Sequence, residues 1–226
     1  MALARNFEGI SGEMFEFFLM ISANNSKSFF ESHREQYEEH VKKPLWLLAD
    51  DCEETLHGID ENIECRPSKC VSRIRRATLF SRDKTPYRNY MWIDWRDRGK
   101  EELTGERTFS FFFSVSLGGI MSGAGYYGLV PHQMARLREK IDLQSERFEE
   151  IINDKALERF VLSGQDYKKI AVPEHLSEKA KALYIKKGFS FTEKLSIREE
   201  NMTQELSDRV RKNIEALAPL YEFIEL

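Results

Sequence analysis

The stretch that decides the fold class is Phe109-Ser110-Phe111-Phe112-Phe113-Ser114-Val115-Ser116-Leu117. A period of two sets Phe109, Phe111, Phe113, Val115 and Leu117 on one side of a strand. Ser110, Phe112, Ser114 and Ser116 take the other. The apolar side has to face a core. The serine side predicts either close packing against a neighbour or a polar floor under a cavity. Gly118-Gly119 suits a tight hairpin turn, so Ile120 to Tyr127 is expected to return antiparallel. Upstream, Tyr90 to Trp95 reads as a further strand, with Tyr90, Trp92 and Trp95 expected in the core. Val71 to Arg76 reads as a short one. Strands that follow one another without helices predict an antiparallel sheet rather than a βαβ array.

Helical periodicity flanks this centre. Ser11 is placed as an N-cap ahead of Met14, Phe15, Phe18, Leu19 and Ile21. Asn24-Asn25 marks a helix junction. Phe30, Tyr37, Val41, Leu45, Leu48, Cys52 and Leu56 then form one apolar stripe, with Pro44 expected to kink or split it. After the hairpin, helices are expected from Pro131, around Phe148, from Leu157 to Leu162, and from Leu176 to a stop at Gly188. A final helix carries Leu206, Val210, Ile214, Leu217 and Tyr221, with Asn201 and Gln204 at capping-box spacing. The expectation is one α+β domain over 1–226, helical at 11–58, strand-rich at 69–127 and helical at 131–226. Its central sheet is mainly antiparallel, with helices from both ends of the chain packed on it.

The 226 residues are enough to bury roughly 70% of the unfolded surface without staples. No apolar run approaches the ~18 residues of a membrane span, so no membrane partner is expected. Met1 to Asn6 lacks a secretory pattern, so a cytoplasmic location is expected. Cys52, Cys65 and Cys70, an odd number, predict reduced and buried thiols. His33 and His40 share a helix face without a third ligand, so neither a metal site nor a cofactor is expected.

Charge is distributed unevenly. Residues 66–100 hold eleven Lys and Arg against three Asp, a local +8 in a chain of net charge −4. Within them, Phe80-Ser81-Arg82-Asp83-Lys84-Thr85-Pro86-Tyr87-Arg88 is a polar turn bracketed by aromatics. It has little to bury and much to bind with. With Arg73, Arg75 and Arg76, the cations suit a phosphate or carboxylate, which guanidinium groups hold bidentately. The competing explanation is a solvated edge strand whose charges discourage aggregation. Asp83 orients a cation or caps the turn. Gly123-Ala124-Gly125-Tyr126-Tyr127-Gly128 matches a dinucleotide-binding pattern, but it closes a hairpin rather than opening a βαβ unit. Its glycines are read as allowing close backbone approach or leaving open space beside the sheet.

The signature at Phe80 to Arg88 resembles the F-S-K-D-K-x-P-Y-K motif of a bacterial and fungal family of uncharacterised proteins, domain of unknown function 2461. Asn24-Asn25 with Phe29-Phe30, Gly123-Ala124-Gly125-Tyr126, and Leu137-Arg138 with Ile141 resemble its other elements in order. In that family an R-D-x-R-F run leads into the signature; this chain reads Arg76-Ala77-Thr78-Leu79-Phe80. The resemblance implies no reaction, and whether the protein is an enzyme stays open.

Two functions are carried forward. The first is a pocket for a small phosphorylated or carboxylated ligand, with Asn25, Arg76, Ser81, Arg82, Asp83, Lys84, Tyr87, Arg88 and Tyr126 as its residues. It requires the cations to converge in a cavity beside Tyr126. The second, less favoured because the chain is acidic overall, is a nucleic-acid or protein binding module that spreads the same cations over an exposed face. Oligomeric state is not predicted.

Overall fold

The computed structural model describes residues 7–77, 79, 82–126 and 128–226. The chain opens with helices α1 (Gly12–Ala23), α2 (Lys27–Ser32) and α3 (Arg34–Tyr37). A π-helical turn, Glu38–Lys42, leads directly into α4 (Lys43–Asp51), followed by α5 (Glu53–His57) and α6 (Pro67–Cys70). Strand β1 (Tyr90–Trp95), helix α7 (Arg98–Thr104), and strands β2 (Ser110–Ser116) and β3 (Gly119–Gly125) form the middle. Then come α8 (Pro131–Leu143), α9 (Ser145–Ile152), a 3-10 turn at Lys155–Arg159 and β4 (Val161–Asp166). Helix α10 (Glu178–Tyr184), β5 (Lys186–Leu195), a 3-10 turn at Glu199–Asn201 and α11 (Glu205–Glu225) complete it.

The sheet has five strands in the order β1-β2-β3-β5-β4, each antiparallel to its neighbour. Helices from both the N- and C-terminal parts accompany it, giving the expected α+β architecture. The register sorts the side chains into two faces. Met91, Ile93, Trp95, Phe111, Phe113, Val115, Ala124, Phe189 and Phe191 are buried on the first. Helix α11 lies against it through Leu206, Val210, Ile214, Leu217 and Tyr221, the Tyr221 ring stacking on Phe111 at 5.2 Å. Two further bonds fasten this helix. The Tyr221 hydroxyl donates to Asp60 at 2.7 Å, and Glu225 accepts the Phe109 peptide N–H at 2.7 Å.

Polar groups on the buried face satisfy one another. Asn213 Nδ2 donates to Ser122 Oγ at 2.6 Å and to Glu193 Oε2 at 2.8 Å. Arg209 Nε donates to Glu193 Oε2 at 2.8 Å, and Arg159 Nε donates to Asn213 Oδ1 at 2.9 Å. A buried carboxylate with several charge-assisted donors avoids most of the cost of its desolvation.

The second face carries the serines. Tyr90 is exposed on it. Trp92, Asp94, Phe112, Ser114, Ser116, Met121, Ser190 and Thr192 are half-buried. Tyr90 and Trp92 therefore do not join the core as expected; only Trp95 does. They stand in phase with Asp94, opposite Ser116 and Ser114. The hairpin turn uses Gly119 at φ +129°, which a side chain would oppose. At Gly123 a Cβ would come within 1.9 Å of the Phe191 carbonyl oxygen. The glycine lets β3 and β5 approach closely, as read from the sequence.

Several local expectations are corrected. Val71 to Arg76 is held by isolated bridges, Val71 to Ile93 in β1 and Arg75 to Tyr87 before it, rather than as a regular strand. The stretch from Leu157 to Leu162 is a 3-10 turn leading into β4, not a helix, and Gly188 lies inside β5 instead of ending a helix. The segment 131–226 is thus helical only in part, because two strands complete the sheet there. Ser11 and Gln204 occupy N-cap positions without side-chain cap bonds. The capping box does not form, since Asn201 Nδ2 donates instead to the Ser196 carbonyl. Pro44 is the second residue of α4, directly after the π-helical turn that interrupts the helix, as the expected kink or split requires.

Candidate functional site at the basic turn

The basic turn is built on Asn25. Ser26 caps α2 by accepting the Phe29 N–H at 3.2 Å, which fixes the residue before it. The Asn25 side-chain amide then clasps the Tyr87 backbone from both sides. Nδ2 donates to the Tyr87 carbonyl at 2.8 Å, and Oδ1 accepts the Tyr87 N–H at 2.9 Å. The Tyr87 ring is buried and stacks on Phe30 at 4.3 Å. Asn25, expected among the ligand contacts, has its amide committed to the protein backbone.

The arginines are organised in the same way. The Arg76 N–H donates to the Pro86 carbonyl and the Arg88 N–H to the Ile74 carbonyl, both at 2.8 Å. The Arg76 guanidinium donates through Nε to the Tyr87 carbonyl at 3.2 Å and pairs with Asp83 at 2.7 Å. Asp83 Oδ1 accepts the Thr85 N–H at 2.9 Å and its hydroxyl at 2.7 Å, an Asx turn. Those two Thr85 donors, with the Arg76 charge behind them, hold the Asp83 carboxyl below the usual aspartate range. Arg88 Nη1 donates to the carbonyls of Arg73 and Arg75.

Arg76 and Arg88 also reach the open face of the sheet. Arg88 lies over the Trp92 ring at 5.0 Å, and Arg76 over the Tyr90 ring at 5.9 Å. Tyr90 and Trp92 stack on each other at 5.8 Å. Two aromatics and two guanidinium groups thus form one row beside the serine floor. Lys84 Nζ donates to the Leu79 carbonyl at 3.4 Å. Arg82 is exposed and has no ion-pair partner among the described residues. Ser81 lies outside the described residues. Ala77 and Leu79, where the resemblance leads one to expect Asp and Arg, are exposed.

Tyr126 stands apart from this group. It lines a cleft of about 400 Å³ with Lys100, Glu106, Arg136, Lys140 and Glu225, which includes none of residues 73–88. Burial, then the neighbouring Glu225 carboxylate, raises its phenol pKa. The expected convergence of the cations beside Tyr126 is therefore corrected: the motif residues divide between two places. What the sequence reading missed is the exposure of Tyr90 and Trp92. The signal was Asp94, which shares their phase and marks that side as polar.

The three cysteines are buried, and burial pushes the thiols of Cys65 and Cys70 up to about 12. Among the described residues, no cluster of three or more His, Cys, Asp or Glu is placed to hold a metal. No helix among them is long and apolar enough to cross a membrane. A comparison with curated proteins finds no match. A family model described as "Conserved hypothetical protein (DUF2461)" matches residues 13–223, and the chain belongs to that family.

Proposed function

We propose that the protein binds a small phosphorylated or carboxylated compound at the 73–88 segment, on the open face of the sheet. One observation carries this reading: Arg76 and Arg88 are laid over the stacked Tyr90 and Trp92 beside a floor of serines and glycines. Guanidinium groups held in place by carbonyls lose little freedom on meeting an anion. The aromatic row offers a surface for the flat part of a ligand. Arg82 adds a charge that nothing among the described residues neutralises. Asp83 opposes binding, since it occupies Arg76 and stays ionised.

The test follows from that opposition. Asp83→Asn keeps an oxygen for the Thr85 turn but removes the charge that competes for Arg76. In a thermal-shift panel of phosphorylated and carboxylated metabolites, Asp83→Asn should enlarge the shift given by a binding compound, and Arg76→Ala should abolish it. A panel without any shift in the native protein would defeat the proposal.

Single-stranded nucleic acid is the second reading, favoured by the adjacent Tyr90 and Trp92, because bases stack on such aromatic pairs. Salt separates the two. Several phosphate contacts give a steep fall of log affinity with log salt, and one small anion a shallow one.

A further inference from the structure

On the helical side of the 71–76 segment is an open groove of about 350 Å³. Phe30, Tyr37, Trp46 and Tyr87 supply its apolar lining, and Arg73 and Arg75 its charge. Arg34 and Lys42 border it too, but they are already paired, Arg34 with Glu31 at 2.8 Å and Lys42 with Glu38 at 2.6 Å. Arg73 and Arg75 are exposed and have no carboxylate partner among the described residues. The groove is therefore positive by two charges.

The two free arginines are well placed. They flank Ile74, which is buried while both arginines are exposed, and both line the groove. The Arg88 guanidinium bonds the carbonyls of both residues and fixes the backbone that presents them. The opposite wall is also specialised. The π-helical turn Glu38–Lys42 interrupts the helix there, a distortion found often at functional sites. Beyond it, Trp46 is 37% exposed, a large apolar surface left beside the groove, with the Lys42 ammonium 5.1 Å from its ring centre.

We infer that this groove binds a nucleoside phosphate, the base lying on the aromatic wall at Trp46 and the phosphate held between Arg73 and Arg75. The volume falls in the range of about 300–1,000 Å³ typical of small-molecule sites. Its lining is mixed: seven aromatic or apolar residues, two serines, and six charged residues of which four are paired with one another. An aromatic wall facing a pair of unneutralised guanidinium groups selects a ligand that is flat at one end and doubly anionic at the other. This site is separate from the one on the open face. It takes its charge from Arg73 and Arg75 rather than from Arg76 and Arg88, and it stands or falls independently.

Calorimetric titration with ADP, adenosine and inorganic pyrophosphate tests it in the native protein and three surface variants. ADP should bind the native protein. The double variant Arg73→Ala/Arg75→Ala should weaken ADP and pyrophosphate by about tenfold or more, as loss of charge-assisted hydrogen bonds requires. Trp46→Ala should weaken ADP while leaving pyrophosphate unchanged, and Trp92→Ala, in the open-face site, distinguishes ADP held there from ADP held in the groove. No heat from any of the three compounds would overturn the inference, and so would ADP binding that the double arginine variant does not weaken. ADP binding lost in Trp92→Ala but kept in the double variant would also overturn it, while supporting a ligand on the open face.

Discussion

A single side chain, Asn25, holds the basic turn to the helical layer. Its amide makes the two bonds that a neighbouring strand would make to the Tyr87 peptide group. Removing it leaves the Tyr87 N–H without a partner and the Tyr87 carbonyl with only the 3.2 Å bond from Arg76. Asn25→Ala should cost about 1–3 kcal/mol, the usual penalty for such groups, measured by urea denaturation. A loss under about 0.5 kcal/mol would mean that water replaces the amide fully. The pair Asn24-Asn25 was legible as a helix junction, and Asn24 does end α1. The deeper role of Asn25 was not legible, because its partner is 62 residues away and nothing in local capping chemistry points to it. The same limit applies to Arg88: nothing local to a basic run shows that this cation also ties two carbonyls of a neighbouring segment.

Among the elements, β2 was legible because it is interior and two-sided. It lies between β1 and β3, and alternation along it separates the core from the open face. Phe111 is fully buried on it, against Tyr221. Phe111→Ala should therefore cost about 3–5 kcal/mol in equilibrium denaturation, and a loss below about 1 kcal/mol would contradict an interior position. Strands β4 and β5 escaped the reading for two different reasons. β4 is an edge strand exposed along nearly its whole length, so burial imposes no alternation on it. β5 does alternate, through Phe189, Phe191, Glu193 and Leu195, but a glutamate at a core position breaks the hydrophobic pattern. Only the bonds from Arg209 and Asn213 make a carboxylate acceptable there, and both come from α11.

At the scale of the molecule, that carboxylate links the sheet to its covering helix and makes the link sensitive to acid. Burial alone would raise the Glu193 pKa, but the bonds from Arg209 and Asn213 outweigh it and lower the value. Because the folded pKa is the depressed one, the stabilisation is complete above the unfolded value of about 4.3. It is lost as pH falls below that and through the folded pKa. Glu193→Gln should be less stable than the native protein at pH 7, and the two should converge below about pH 4 in urea midpoints measured down the pH scale. Parallel curves would show that Glu193 has no part in acid unfolding. The role of α11 as the cover of the sheet also bears on how the protein is made. Ribosomes add about 5–20 residues per second. Until residues 205–225 have been synthesised, the nascent chain carries a phenylalanine-rich sheet surface, Phe111 and Phe113 included, without its lid. For those seconds the half-made protein has reason to be held by a chaperone.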